Sequence, residues 1–190
     1  MEKIILQQLE ESLQVKRQFI ERHLNRILVA VEKMADCIGA GNKILIFGNG
    51  GSAADAQHLA ADFVNRFKIE RPPLAAIALT TNTSILTSIG NDYRFDDIFS
   101  KQIEALGKKN DIAWGISTSG NSKNVLQAVE TANKKELFSI GLTGRGGALA
   151  RCAKLVFTVP SDDTARIQEA HITLGHIICD LVERRLFSQQ

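Results

Sequence analysis

His58 and Asp62 stand four residues apart in the run "SAADAQHLAADF". On a helix that spacing puts both side chains on one face. An imidazole and a carboxylate on one face are good ligands for a divalent cation. A second set of polar residues, Gln168, Glu169, His171 and His176, lies near the C-terminus among Ile167, Ile172, Leu174, Ile177 and Ile178. Each histidine alone also reads as a hydrogen-bonded core or surface residue. What strengthens a chemical reading of His58 and Asp62 is their place directly after a glycine-rich loop, in "IFGNGGSAADAQH" at residues 46–58.

Three stretches of small polar residues follow apolar runs: "GNGGS" (Gly48 to Ser52), "STSGNS" (Ser117 to Ser122) and "LTGRGG" (Leu142 to Gly147). The first two lead straight into helical patterns. A helix N-terminus presents free backbone N–H groups and the positive end of a dipole, and hydroxyls add donors, so such loops suit a phosphate. The phosphate is a monoester rather than a nucleotide triphosphate, since "GNGGSA" lacks the Lys-Ser/Thr pair of a Walker loop. A dinucleotide fingerprint fits weakly. Ala53 is permitted at its last position, but no acidic residue follows the second strand in "LAAIALTTNTS". Turn chemistry alone can also place glycine and serine after a strand. Two such loops at one sheet edge, one rich in hydroxyls, favour phosphate.

The elements that must carry these loops alternate. Residues 2–38 hold no proline or glycine, and Ile5, Leu9, Leu13, Ile20, Leu24, Ile27, Val31 and Met34 recur at helical spacing. This predicts one long helix, or two with a break, ahead of the first strand. Such a helix packs on something outside the sheet, which points to an oligomer interface. Strands are expected at "KILIFG", "LAAIAL", "DIAWGIS", "LFSIGLT" and "KLVFTV". Helices are expected over Ser52–Phe67, Ser84–Ile89, Phe95–Leu106, Asn121–Lys134, Gly147–Ala153 and Asp163–Phe187. Five apolar strands with interleaved helices predict an α/β fold, a doubly wound five-stranded parallel sheet with long N-terminal and C-terminal helices. No repeat or linker divides the 190 residues, so a single domain is expected, with residues 1–40 as a helical oligomerisation segment. A net charge of +2 gives no reason to expect direct nucleic-acid binding. No apolar run is long enough to span a membrane, and the N-terminus lacks the h-region of a signal peptide. Cys37, Cys152 and Cys179 are odd in number and widely spaced, which suits a reducing cytoplasm.

"GNGGSAADAQH", "IGNDYRFDDIFSKQI", "GISTSGNSKNVLQA", "IGLTGRGG" and "ARIQEAH" together resemble the phosphoheptose isomerases of the sugar isomerase (SIS) superfamily, along nearly the whole chain. The resemblance implies an aldose–ketose isomerase that converts sedoheptulose 7-phosphate to glycero-manno-heptose 7-phosphate for lipopolysaccharide synthesis. It implies Asp62 as catalytic base and His176 as acid. It also implies a zinc ion held by His58, Asp62, Gln168 and His176. Substrate contacts carry over to Asn49, Gly50, Gly51, Asn91, Asp92, Ser117, Thr118, Ser119, Ser122 and Gln168; Ser52 joins them because its hydroxyl would stand at a helix start. Gly120 and Asn121 shape the phosphate loop. The family's base is glutamate, so Asp62 is a departure, and a carboxylate retracted by roughly 1 Å can cost on the order of 100-fold in rate. A close relative, the DnaA initiator-associating protein, offers the alternative of a non-catalytic tetramer that gathers DnaA, with Leu186 and Phe187 as a possible contact. Gln168 and His176 lie eight residues apart, roughly 12 Å along one helix. That spread predicts a composite site in a homotetramer, partly supplied by a neighbouring chain.

Overall fold

The computed structural model describes residues 1–188. The first segment is one unbroken helix, α1 (Glu2–Gly39), about 57 Å long at 1.5 Å per residue. Five strands follow: β1 (Ile44–Gly48), β2 (Ala76–Ala78), β3 (Ile112–Ser117), β4 (Phe138–Thr143) and β5 (Leu155–Thr158). Between and after them run α2 (Gly51–Val64), α3 (Thr83–Asp92), α4 (Ser100–Leu106), α5 (Lys123–Lys134), α6 (Leu149–Cys152) and α7 (Thr164–Phe187).

All strand pairs are parallel, in the order β2-β1-β3-β4-β5. The central strands are buried on both faces, which is why they read as continuous apolar runs. Their side chains still alternate. Ile44, Ile46, Ile112, Trp114 and Ile116 face the layer of α1, α2 and α7. Leu45, Phe47 and Ala113 face Phe99 and Ile103 of the α4 region and Val125, Ala128 and Val129 of α5. The strand order reverses between β1 and β3, and ligands in such sheets bind outside the carboxyl ends of the strands at that point. The loops at Asn49–Gly50 and Thr118–Ser122 flank this crevice.

Two expectations need correction. The stretch Phe95–Leu106 is not one helix: a single 3-10 turn, Phe95–Asp97, precedes α4, and Ile98 and Phe99 between them turn inward to the second core layer. The second strand is shorter than "LAAIAL" suggests, because it forms the sheet edge and leaves Ile77 partly exposed. Leu186 and Phe187 pack against the main core cluster rather than standing clear of it. One side of α1 does stay uncovered, with Ile4, Ile5, Leu6, Leu9, Leu13, Leu24, Leu28 and Val29 exposed. No helix among the described residues is long and apolar enough to cross a membrane.

Candidate active site

α2 begins at Gly51, directly after β1, and carries His58 and Asp62 one turn apart. α7 lies alongside it. Gly175 permits the close approach, since a Cβ there would stand 2.5 Å from Leu59 Cδ2. The next residue, His176, therefore meets α2 directly. His176 Nε2 lies 3.4 Å from His58 Nε2 and 3.9 Å from Asp62 Oδ2, and His58 Nε2 lies 3.8 Å from the same oxygen. Phe67 stacks on the His176 ring, with centroids 5.4 Å apart and planes inclined by 28°.

The electrostatics follow from this packing. Asp62 Oδ2 is buried without a hydrogen-bond partner. Burial raises the Asp62 carboxyl above its ordinary value, and the neighbouring His58 and His176 offset this only in part. Burial lowers His176, reinforced by the adjacent His58. Asp55, one turn before His58, also holds a buried oxygen without a partner, and burial raises its carboxyl.

These atoms suit a divalent cation. Two imidazole nitrogens and a carboxylate oxygen lie within 4.8 Å of one another. A tetrahedral ion with bonds of about 2.0–2.1 Å holds its donors roughly 3.3–3.4 Å apart. The histidine pair at 3.4 Å meets that spacing, with the carboxylate slightly farther out. Gln168 lies elsewhere on α7, over the first loop: a Cβ on Gly51 would stand 2.5 Å from its Nε2. The two α7 residues are thus matched by α2 of the same chain, Gln168 at its start and His176 two turns on. They stand two turns apart on α2 as on α7 and do not converge on one point within the single chain.

The second loop gathers hydroxyls. Ser117 Oγ lies 2.9 Å from Ser122 Oγ and 3.4 Å from Ser119 Oγ, and the Ser119 hydroxyl accepts from Asn121 N at 3.1 Å. Ser122 occupies the N-cap position of α5 but its side chain does not cap the helix. The hydroxyl cluster and an uncapped helix start can together hold an anion. Gly120 accepts from Leu149 N, and Asn121 Oδ1 from Ala148 N, so both tie this loop to the one after β4. A cavity of about 440 Å³ opens beside it, lined by Thr118, Ser119, Arg145, Gly146, Ser161 and Asp162 among others. Asn49 exchanges two amide hydrogen bonds with Asn124, at 2.8 and 2.9 Å, which locks the first loop to α5. Gly50 is the N-cap of α2, and Ser52 is buried in its first turn. Asn91 and Asp92 sit exposed at the last turn of α3, bonded to each other and, among the described residues, to no other site side chain.

Several residues of this region carry no signal in sequence reasoning. Arg145 is a cation beside the hydroxyl loop, paired with Asp162 at 2.8 Å; its only mark was its place in "LTGRGG". Asn124 and Phe67 act through partners distant in sequence. Comparison with known proteins agrees with the fold. Residues 7–144 match the SIS domain family. The phosphoheptose isomerase of Thermodesulfovibrio yellowstonii is 55% identical over 94% of this chain and 89% of its own length.

The chain belongs to the phosphoheptose isomerase family.

A second family member, from Aquifex aeolicus, is also 55% identical, over 91% of both chains. The solved structure of phosphoheptose isomerase GmhA from Neisseria gonorrhoeae superposes with a TM-score of 0.90 at 45% identity, covering 96% of this chain and 98% of that one. The chain is thus a sugar-phosphate isomerase by family.

Proposed function

We propose that the protein interconverts sedoheptulose 7-phosphate and glycero-manno-heptose 7-phosphate, a precursor step for lipopolysaccharide heptose. The observation that carries this reading is the convergence of His58, Asp62 and His176 across the α2–α7 contact, in a fold that also carries a hydroxyl-rich loop at the start of α5. Ser117, Thr118, Ser119 and Ser122 hold the phosphate with the start of α5. Asn49, Gly50, Gly51, Ser52 and Gln168 line the sugar's path from the first loop, and Asn91 and Asp92 act from α3. Asp62 takes a proton from C1 of the ketose and returns it to C2 of the enediol. His176 gives a proton to O2 as the enediol forms and takes one back from O1 as the aldehyde forms. A zinc ion held by His58, Asp62 and His176 would polarise the sugar oxygens as a Lewis acid, in a state where His176 Nε2 is a ligand and not the acid; Gln168, the remaining family ligand, lies two turns away within the single chain.

The whole chain acts as one SIS domain in this reading, working in the cytoplasm. Residues 1–40 supply the contact that builds a homotetramer, through the apolar side of α1 left uncovered in the single chain. The test is incubation of the purified protein with sedoheptulose 7-phosphate, with and without Zn²⁺, followed by NMR. Appearance of the aldose with exchange of the C1 proton in D₂O is the expected result. No conversion under either condition would refute the reading.

A further inference from the structure

Arg71 and Glu183 form an ion pair whose side chains are each only 1% exposed, with Nε to Oε1 at 2.9 Å. A buried pair is not the easiest way to fill a core, since apolar residues of the same volume often do as well. Where its remaining hydrogen bonds go is therefore informative. Arg71 Nη2 donates to the carbonyl of Asp62 at 2.8 Å, and Nη1 donates to those of Phe63 at 2.7 Å and Asn65 at 3.1 Å. These carbonyls lie at the C-terminal end of α2, where a helix leaves its last acceptors unpaired. The guanidinium closes the helix turn that carries Asp62.

Glu183 reaches the other way. Its Oε1 accepts from Phe67 N at 2.6 Å, and its Oε2 from Lys68 N at 2.8 Å and Ile69 N at 3.0 Å. One carboxylate thus holds three successive amides of the loop after α2. The same loop lays the Phe67 ring on His176. Glu183 and His176 are seven residues apart on α7, close to two full turns, and so share a face. The clamp closes a circuit. α7 carries His176 and Glu183, Glu183 fixes the loop that brings Phe67 back to His176, and Arg71 joins the same carboxylate to the turn bearing Asp62.

We propose that Arg71 and Glu183 are positioning residues, which set Asp62 and the Phe67-backed His176 in register across the α2–α7 contact. This rests on the reading that Asp62 and His176 are catalytic. Both clamp side chains are buried and so closed to a bound substrate. Changes to groups supporting a metal ligand commonly cost about 10–100-fold in affinity or activity, and a misplacement of about 1 Å is of similar consequence.

The test uses the full-length protein with Arg71→Lys, Glu183→Gln, Phe67→Leu and Phe67→Tyr. Each is assayed well below its own melting temperature. Arg71→Lys keeps the charge but loses the fork, and kcat should fall by roughly 10–100-fold with KM within about twofold, because the phosphate loop stands on other strands. Phe67→Leu leaves the clamp intact and should lower kcat by about 10-fold, and Phe67→Tyr, which keeps the ring, should restore it. Co²⁺ added to the ion-free protein gives a readout apart from turnover. Its affinity by calorimetry should weaken in Arg71→Lys, and its visible absorption should change. Where Glu183→Gln does not fold, the Phe67 pair takes its place. Folded Arg71→Lys and Phe67→Leu with native kcat and native Co²⁺ affinity, beside an inactive Asp62→Asn, would overturn the clamp and leave the catalytic reading standing. Native turnover in both Asp62→Asn and His176→Asn would instead overturn the catalytic reading, and the clamp with it.

Discussion

Replacing Asp62 by asparagine removes its basicity and the negative charge it would offer a cation, and leaves the shape nearly unchanged. Asp62 is half-buried, and its Oδ2 has no hydrogen-bond partner to lose. The amide has nearly the same shape, so the melting temperature should change little. Phosphate affinity should hold as well, because Ser117, Ser119 and Ser122 stand on the β3 loop and do not bond to Asp62. What changes is the only carboxylate within 4 Å of both His58 and His176 among the described residues. Loss of a positioned general base costs about 10²–10⁴-fold, equivalent to about 3–5 kcal/mol of barrier. Asp62→Glu keeps charge and donor atom, and its extra rotatable bond lets the carboxylate fold back toward the imidazoles. It should stay within about 10-fold of the native rate. The assay is NMR of sedoheptulose 7-phosphate in D₂O, which reports both conversion and exchange at C1. Asp62→Asn exchanging the C1 proton within threefold of the native rate would refute the assignment of Asp62 as base.

Ser119→Ala and Ser122→Ala should each weaken phosphate binding by about 1.5–3 kcal/mol, the worth of a hydrogen bond to a charged group; titration calorimetry with the sugar phosphate measures it, and unchanged affinity in both places the phosphate elsewhere. His171 is fully buried, and burial lowers its pKa from 6.5 to about 4, so the native imidazole is neutral where the unfolded one charges. The unfolded chain then binds the extra proton between those values, and stability should fall by up to roughly 3 kcal/mol as pH drops from 6.5 toward 4, with no contribution above that window. Urea unfolding at several pH values checks this, and His171→Gln should flatten the slope; parallel slopes in the two proteins would contradict it. If the proposed homotetramer forms through α1, Leu9→Glu with Leu13→Glu should leave only monomers by light scattering, since both side chains are exposed on α1 in the single chain; an unchanged mass would contradict that interface.

Much of the fold was legible because its signals are local. The central strands are apolar on both faces and announce themselves as runs, and α1 and α5 carry clear helical periods. The i, i+4 pair of His58 and Asp62 needed only the helix to become a shared face. Contacts made by the close approach of distant segments were not legible. His176 meets His58 across 118 residues of chain, and Arg71 meets Glu183 across 112. Nothing in "IERPPL" says that its arginine will turn back and close the helix before it. The glycine that lets α7 approach, Gly175, looks in sequence like a flaw in a helix. Its meaning depends on Leu59 standing opposite.

The His58–His176 contact also limits how the cluster shares protons. Two ring nitrogens 3.4 Å apart can share one proton, with one Nε2 donating and the other accepting. Burial lowers His176, which disfavours a second charge there at neutral pH. A neutral His176 with its proton on Nε2 can serve as an acid toward a sugar oxygen. With its proton on Nδ1 it can offer the Nε2 lone pair to a cation. That nitrogen cannot do both at once, so in this chain the acid role of His176 and its role as a ligand exclude each other. Asp62 is not limited in this way. Its carboxylate has two oxygens, and one can hold a cation while the other accepts a proton. Whichever state the histidines occupy, Asp62 is the member of the cluster able to carry the proton between the two carbons.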